Sequence, residues 1–153
     1  MDEQSQDGLA QLSEDDLQVV YNWVDEIPLS RPKRNIQRDF SDGVLLAEIV
    51  KHFLPKLIDL HNYSQAHSVA QKSYNWNTLN VKVLKKIGLT LTKKEIENVV
   101  NMAPDTIESV LLALKYHIEQ KLANKGQSSM MQQDPYHQDP SMLHNYQHGN
   151  KEN

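Results

Sequence analysis

The sequence predicts an all-α domain of about five to seven helices followed by a disordered C-terminal tail. Three observations carry this. Apolar residues recur every three or four positions in separate stretches between Ser13 and Leu122. Helix-start and helix-stop residues punctuate those stretches. From Gly126 the periodicity ends and Gln, Ser, Asn, His, Asp and Pro dominate, a composition that buries too little apolar surface to offset chain entropy.

Ser13 suits an N-cap, and Asp16 stands three residues on, in a capping-box arrangement. Leu17, Val20, Tyr21 and Val24 then recur at helical spacing. Pro28 and Pro32 forbid continuation, because proline lacks the amide donor and its ring clashes with the preceding turn. The following segment, Leu29 to Arg38, is irregular and holds four bases and no acid. Asp42 is placed to cap a second helix with the apolar stripe Leu45, Leu46, Ile49, Val50 and Phe53, closed by Pro55. Leu57, Ile58 and Leu60 anchor a connection ending around His67 and Ser68. A third helix is expected over about 73–87, with Trp76, Leu79, Val83 and Ile87 on one face and Gly88 at the left-handed position beyond its end. Thr92 and Glu95 form a second capping box before Ile96, Val99, Val100 and Ala103. Pro104 breaks that helix and can open the last one at its first turn. The longest stripe follows, through Ile107, Val110, Leu111, Leu114, Ile118 and Leu122.

The chain has 153 residues and a net charge of -4, unevenly divided. An acidic N-terminus, 1–12, has three acids and no base and is expected to be disordered. A folded domain, 13–125, has fifteen bases against fourteen acids, so charge-based function there must come from clustering. The tail, 126–153, has three acids and one base. A mean hydropathy of -0.64 fits a core concentrated in part of the chain. The absence of cysteine excludes disulfides, thiolate metal sites and cysteine nucleophiles. No stretch approaches the roughly 20 apolar residues of a membrane span, and residues 1–12 do not read as a signal peptide. The expectation is a protein that is soluble and inside the cell.

Trp23, the run Asp39-Phe-Ser-Asp-Gly-Val-Leu-Leu-Ala-Glu-Ile-Val50, and Asn75 through Leu84 resemble the hallmarks of a calponin-homology domain over roughly residues 14–123. The segment Tyr21 to Gly43, with His61-Asn-Tyr63 and Ala103-Pro104, is similar to the sperm flagellar, or calponin-homology and microtubule-associated, protein family. The resemblance implies a cytoskeletal, ciliary or flagellar protein that binds axonemal microtubules, notably the central pair, and stabilises or bundles them. Larger family members carry a C-terminal coiled coil, whereas residues 126–153 are polar and without heptads, so bundling by self-association is not an expectation of this sequence. The tail offers a contact for other axonemal proteins, with Leu143 and Tyr146 as anchors.

Under that resemblance the first choice for the microtubule contact is Arg31, Lys33, Arg34 and Arg38, four bases on a loop stiffened by prolines. Tubulin is acidic, and clustered bases give attraction, fast encounter and salt dependence. The plainer reading is a solvated loop, or arginines folded onto Asp25, Glu26 or Asp39. Lys85 and Lys86 form a second microtubule-binding candidate with Lys93 and Lys94, although cations at a helix C-terminus also favour the helix dipole. Lys72 and Lys82 join a surface with one cluster or the other.

Asp39 and Asp42, three apart, invite a paired-carboxylate reading, but no nucleophile or oxyanion motif accompanies them and capping explains them better. Gly43 belongs to the cap, and there is no Gly-rich nucleotide fingerprint. His52, His61 and His67 lack ligand spacing, and His137, His144 and His148 lie in the polar tail. The expectation is therefore no enzyme, no cofactor and no metal. The partners that the resemblance implies are tubulin and microtubules, and neither nucleic acid nor membrane is expected. Actin filaments, or a scaffold role through an apolar groove, are the alternative.

Overall fold

The computed structural model describes residues 11–31 and 34–132, with side chains through 126. Among the described residues there are six α-helices joined by turns and short 3-10 segments, with no strand. Of the disordered ends expected at 1–12 and 126–153, residues 1–10 and 133–153 lie outside the described residues, and with them His137, Leu143, His144, Tyr146 and His148.

Helix α1, Glu14–Asp25, starts on the expected reciprocal cap. The Ser13 hydroxyl accepts the Asp16 N–H at 3.1 Å, and the Asp16 carboxylate accepts the Ser13 N–H at 3.1 Å. Val20, Trp23 and Val24 are buried, while Tyr21 lies at the rim, 38% exposed. Helix α2, Ile36–Asp39, is a single turn inside the segment expected to be irregular. Asn35 caps it by accepting the Arg38 N–H at 3.0 Å. Helix α3, Val44–Phe53, buries Leu45, Leu46, Ala47, Ile49 and Val50.

Two 3-10 turns, Pro55–Leu57 and Leu60–Asn62, make the connection to α4, Val69–Lys82, whose cap is the Ser68 hydroxyl on the Gln71 N–H. The long helix expected over 73–87 is thus displaced. It begins at Val69 and stops at Lys82, and Leu84–Ile87 forms a separate 3-10 turn. Gly88 ends that turn at φ +85°, the left-handed position predicted for it. Helix α5, Lys93–Val100, opens on the Thr92–Glu95 capping box. Helix α6, Thr106–Gln132, starts two residues beyond Pro104, so the proline occupies the preceding turn and not the first helical position. It also runs past Gly126, where the apolar period ends.

Among the described residues, those up to Glu119 form one compact unit and those from Gln120 another. The core lies in the first, where Phe40, Leu45, Leu46, Ile49, Trp76, Leu79, Leu84, Leu111 and Leu114 are fully buried. Leu122, in the second unit, is exposed.

Polar clasps fix the chain around the segment Asp39–Gly43. The Trp76 indole N–H donates to the Ser41 carbonyl at 2.9 Å. The Asn75 amide donates to the carbonyls of Asp42 and Ser64 at 2.9 and 2.8 Å. Gly43 sits at φ +82°, and a Cβ there would lie 3.1 Å from Leu79 Cδ1. No L side chain fits that backbone without strain.

Candidate functional site

The basic segment is braced by carboxylates to a degree that its sequence does not announce. Glu48 on α3 accepts the Ser30 N–H at 2.9 Å and its hydroxyl at 2.6 Å. Asp39 Oδ2 accepts the N–H groups of Arg34 and Asn35 at 2.7 and 2.9 Å. Asp42 Oδ1 accepts the Val44 N–H at 3.0 Å, and Oδ2 accepts the Ala66 N–H at 3.1 Å. Stiffening was expected from the prolines. Glu48 and Asp39 hold the segment by its backbone and Asp42 meets it through the Arg31 side chain, while Pro32 and Lys33 lie outside the described residues.

These contacts also define the two aspartates. Asp42 is not itself the N-cap of α3, a position that Gly43 occupies. It reaches the first-turn N–H from one residue upstream and ties the start of α3 to residue 66. Asp39 ends α2 and holds the residues before it. Both oxygens of Asp42 and Oδ2 of Asp39 accept from backbone donors, which suits a structural task better than proton transfer.

The predicted cations divide by environment. Arg31 is partly enclosed: its side chain is 31% exposed, and Nη2 lies 3.5 Å from Asp42 Oδ1, a carboxylate only 5% exposed. Arg38 is on α2, not on a loop, with a side chain 62% exposed and Nε 3.9 Å from Asp39 Oδ1. At that separation in water the pair contributes little. Arg34 is exposed. The reading that arginines fold onto the domain's own acids therefore describes Arg31, through Asp42, and hardly touches Arg38.

Lys85 and Lys86 are exposed in the Leu84–Ile87 turn. Because α4 has already ended at Lys82, they do not lie in the last turn of a long helix, as expected for a dipole role.

Arg31 and Arg38 share a polar cleft of about 180 Å³ with Asp39, Ser41, Asp42, Gln65, Ala66, His67 and Lys72. The fold thus assigns Lys72, which sequence spacing leaves between clusters, to the Arg31–Arg38 side. His67, read only as an unlikely metal ligand from sequence, lines the same cleft. Neither residue is detectable as a neighbour from sequence, since about 30 positions separate them from Arg38. No group of three side chains suited to hold a metal occurs among the described residues.

Beside Arg38, Gln37 reaches the last helix. Its amide donates to Glu108 Oε2 at 2.7 Å. Glu108 is 2% exposed, and its carboxyl is raised above the ordinary value, first by burial and further by the charge of Asp105. Its own backbone N–H, Gln37 and the Tyr21 hydroxyl act in the opposite direction. Tyr21 is raised in turn, by burial first and then by the charges of Glu108 and Asp105.

An all-helical domain in which Trp76 and Asn75 clasp an Asp-Phe-Ser-Asp-Gly segment is of the calponin-homology class. The family described as CH-like domain in sperm protein matches residues 20–116, and the chain belongs to that family. It is 46% identical over 134 residues to sperm flagellar protein 1 of Xenopus laevis, covering 88% of this chain and 58% of the relative. It is 42% identical over 130 residues to sperm flagellar protein 1 of Homo sapiens, covering 85% and 55%. The Bos taurus protein of the same name is 44% identical over 116 residues, covering 76% and 49%. The chain spans about half the length of these relatives.

Proposed function

We propose that the chain is a non-enzymatic cytoskeletal module of the cilium or flagellum that binds axonemal microtubules, at the central pair, and stabilises or bundles them. Arg31, Arg34 and Arg38 form the principal contact, with Lys33 between them and Lys85 and Lys86 as a second set. The observation that carries this reading is the exposed guanidinium of Arg38 on a backbone already fixed by Asn35 and Asp39. Little ordering entropy is lost when such a group meets an acidic surface, so attraction appears as affinity and as encounter rate. The family and the flagellar name of the relatives support the location.

The test is co-sedimentation of the full chain with microtubules at two salt concentrations, with proteolytically trimmed tubulin and actin filaments in parallel. The reading requires pelleting with microtubules but not with actin, weakening steeply as ionic strength rises. Equal pelleting with actin, or salt-independent binding, would overturn it.

A further inference from the structure

The cleft behind Arg38 is built for more than a diffuse electrostatic contact. Its two acids are spoken for, since Asp42 holds two backbone N–H groups and Arg31, and Asp39 holds two others. Its cations are not. Arg31 gives Asp42 one long contact from a guanidinium with five N–H donors. Arg38 is beyond hydrogen-bond distance of Asp39. The Lys72 ammonium and the His67 ring have no hydrogen-bond or ion-pair partner among the described residues. Three cations against two acids leave a net positive wall around a space far larger than one water needs. At about 180 Å³ the space is also smaller than the roughly 300 Å³ at which pockets for organic ligands begin. One side-chain carboxylate fits both the size and the charge.

We propose that this cleft takes a single glutamate or aspartate side chain from an acidic peptide segment of the bound partner, gripped by Arg31, Arg38 and Lys72. This rests on the microtubule reading above and adds Lys72 and the Gln65–His67 strip to the contact. Arg31, paired with Asp42, is more enclosed than Arg38. Arg38 on α2 and Lys72 on α4 bring cations to the carboxylate from separate elements, and the His67 ring lines the same space. The arrangement converts a general attraction into a seat for one residue, which fixes register on a repeating lattice.

The experiment follows backbone amide resonances of the full chain during titration with a hexaglutamate peptide, beside microtubule co-sedimentation, for wild type, Lys72→Glu and Lys56→Glu. Lys56 is an exposed lysine outside the cleft. Glutamate is tolerated at position 72, in the first turn of α4, where acids favour the helix. The expected result is that hexaglutamate shifts the amides of Ser41, Ala66, His67 and Lys72. Lys72→Glu loses those shifts and about tenfold in microtubule affinity, and Lys56→Glu keeps both. Shifts confined to other surfaces, equal behaviour of the two variants, or the same amides moved as strongly by inorganic phosphate at matched ionic strength would overturn the seat. Pelleting without cleft shifts sinks the seat and leaves microtubule binding standing. Cleft shifts without pelleting do the reverse.

Discussion

The Gln37 amide donates to Glu108 Oε2 at 2.7 Å across 71 positions of sequence, joining the single turn that carries Arg38 to the start of α6. The acceptor is a buried carboxyl whose Oε1 has no hydrogen-bond partner of good geometry, although the Tyr21 hydroxyl is close enough to influence it. Burial outweighs the donors, so the folded-state value is raised and ionisation opposes folding. The sign follows. This group's contribution to stability is complete below its unfolded value and is lost as pH rises through the higher folded one. Replacing Glu108 by Gln removes the buried charge and keeps an acceptor for Gln37. Thermal melts should show Glu108→Gln a few degrees more stable than wild type at pH 7, the difference shrinking towards pH 4. A variant less stable than wild type at pH 7 would mean that the ionised carboxylate is held favourably.

Gly43 makes a sharper stability prediction. Its φ of +82° costs an L residue about 1–2 kcal/mol, and the added Cβ would press Leu79 Cδ1 at 3.1 Å and the Trp76 indole at 3.4 Å. Gly43→Ala should therefore lower unfolding free energy in urea by about 2 kcal/mol or more. Gly88 has a similar φ of +85° but meets nothing closer than 3.4 Å, at the His117 ring. Gly88→Asn, a residue that tolerates the left-handed region, should cost well under half as much.

What sequence made legible was whatever repeats locally. The apolar period located most residues buried within the longer helices, although Tyr21 and Leu122 on those stripes are exposed and Phe40, Leu89 and Leu91 between them are buried. Both capping boxes formed because their partners are three residues apart. Three features escaped because their causes are not local. The four-residue α2 is shorter than any hydrophobic period, so Asn35 alone marks it. The ending of α4 at Lys82 interrupts a stripe whose later members, Val83, Leu84 and Ile87, are nonetheless buried, so the pattern continues while the helix does not. The bracing of the basic segment comes from Glu48 and Asp42, 18 residues from Ser30 and 11 from Arg31, and the cleft adds Lys72 from another helix. Types of residue were readable there, and their meeting was not.

Asn80 illustrates a polar residue with a structural task that spacing conceals. Its amide accepts the Leu91 N–H at 2.8 Å and donates to the Leu91 carbonyl at 2.9 Å, satisfying both backbone groups of a buried residue before α5. Asn80→Ala strands both groups and should destabilise by about 2 kcal/mol. Asn80→Asp restores the acceptor but no donor, and should recover part of the loss. Urea titration of the three proteins checks the order wild type, Asp, Ala. Equal stability of wild type and Ala would show that water replaces the amide.

Arg31 and Arg38 should separate stability from binding. Arg38 is largely exposed and only loosely paired, so Arg38→Glu should cost at least about tenfold in microtubule affinity while helicity and melting temperature stay nearly unchanged. Arg31 faces Asp42, whose carboxylate is almost fully enclosed. Arg31→Ala removes the cation from that carboxylate, and although the Val44 and Ala66 N–H groups remain, the melting temperature should fall by a few degrees as well as the affinity. Binding measured against salt adds a second discriminator, since each lost contact should flatten the ionic-strength dependence. If Arg38→Glu unfolded the domain, its guanidinium would have a structural task that the 3.9 Å separation from Asp39 does not account for. If it folded and bound like wild type, the α2 surface would not be the contact.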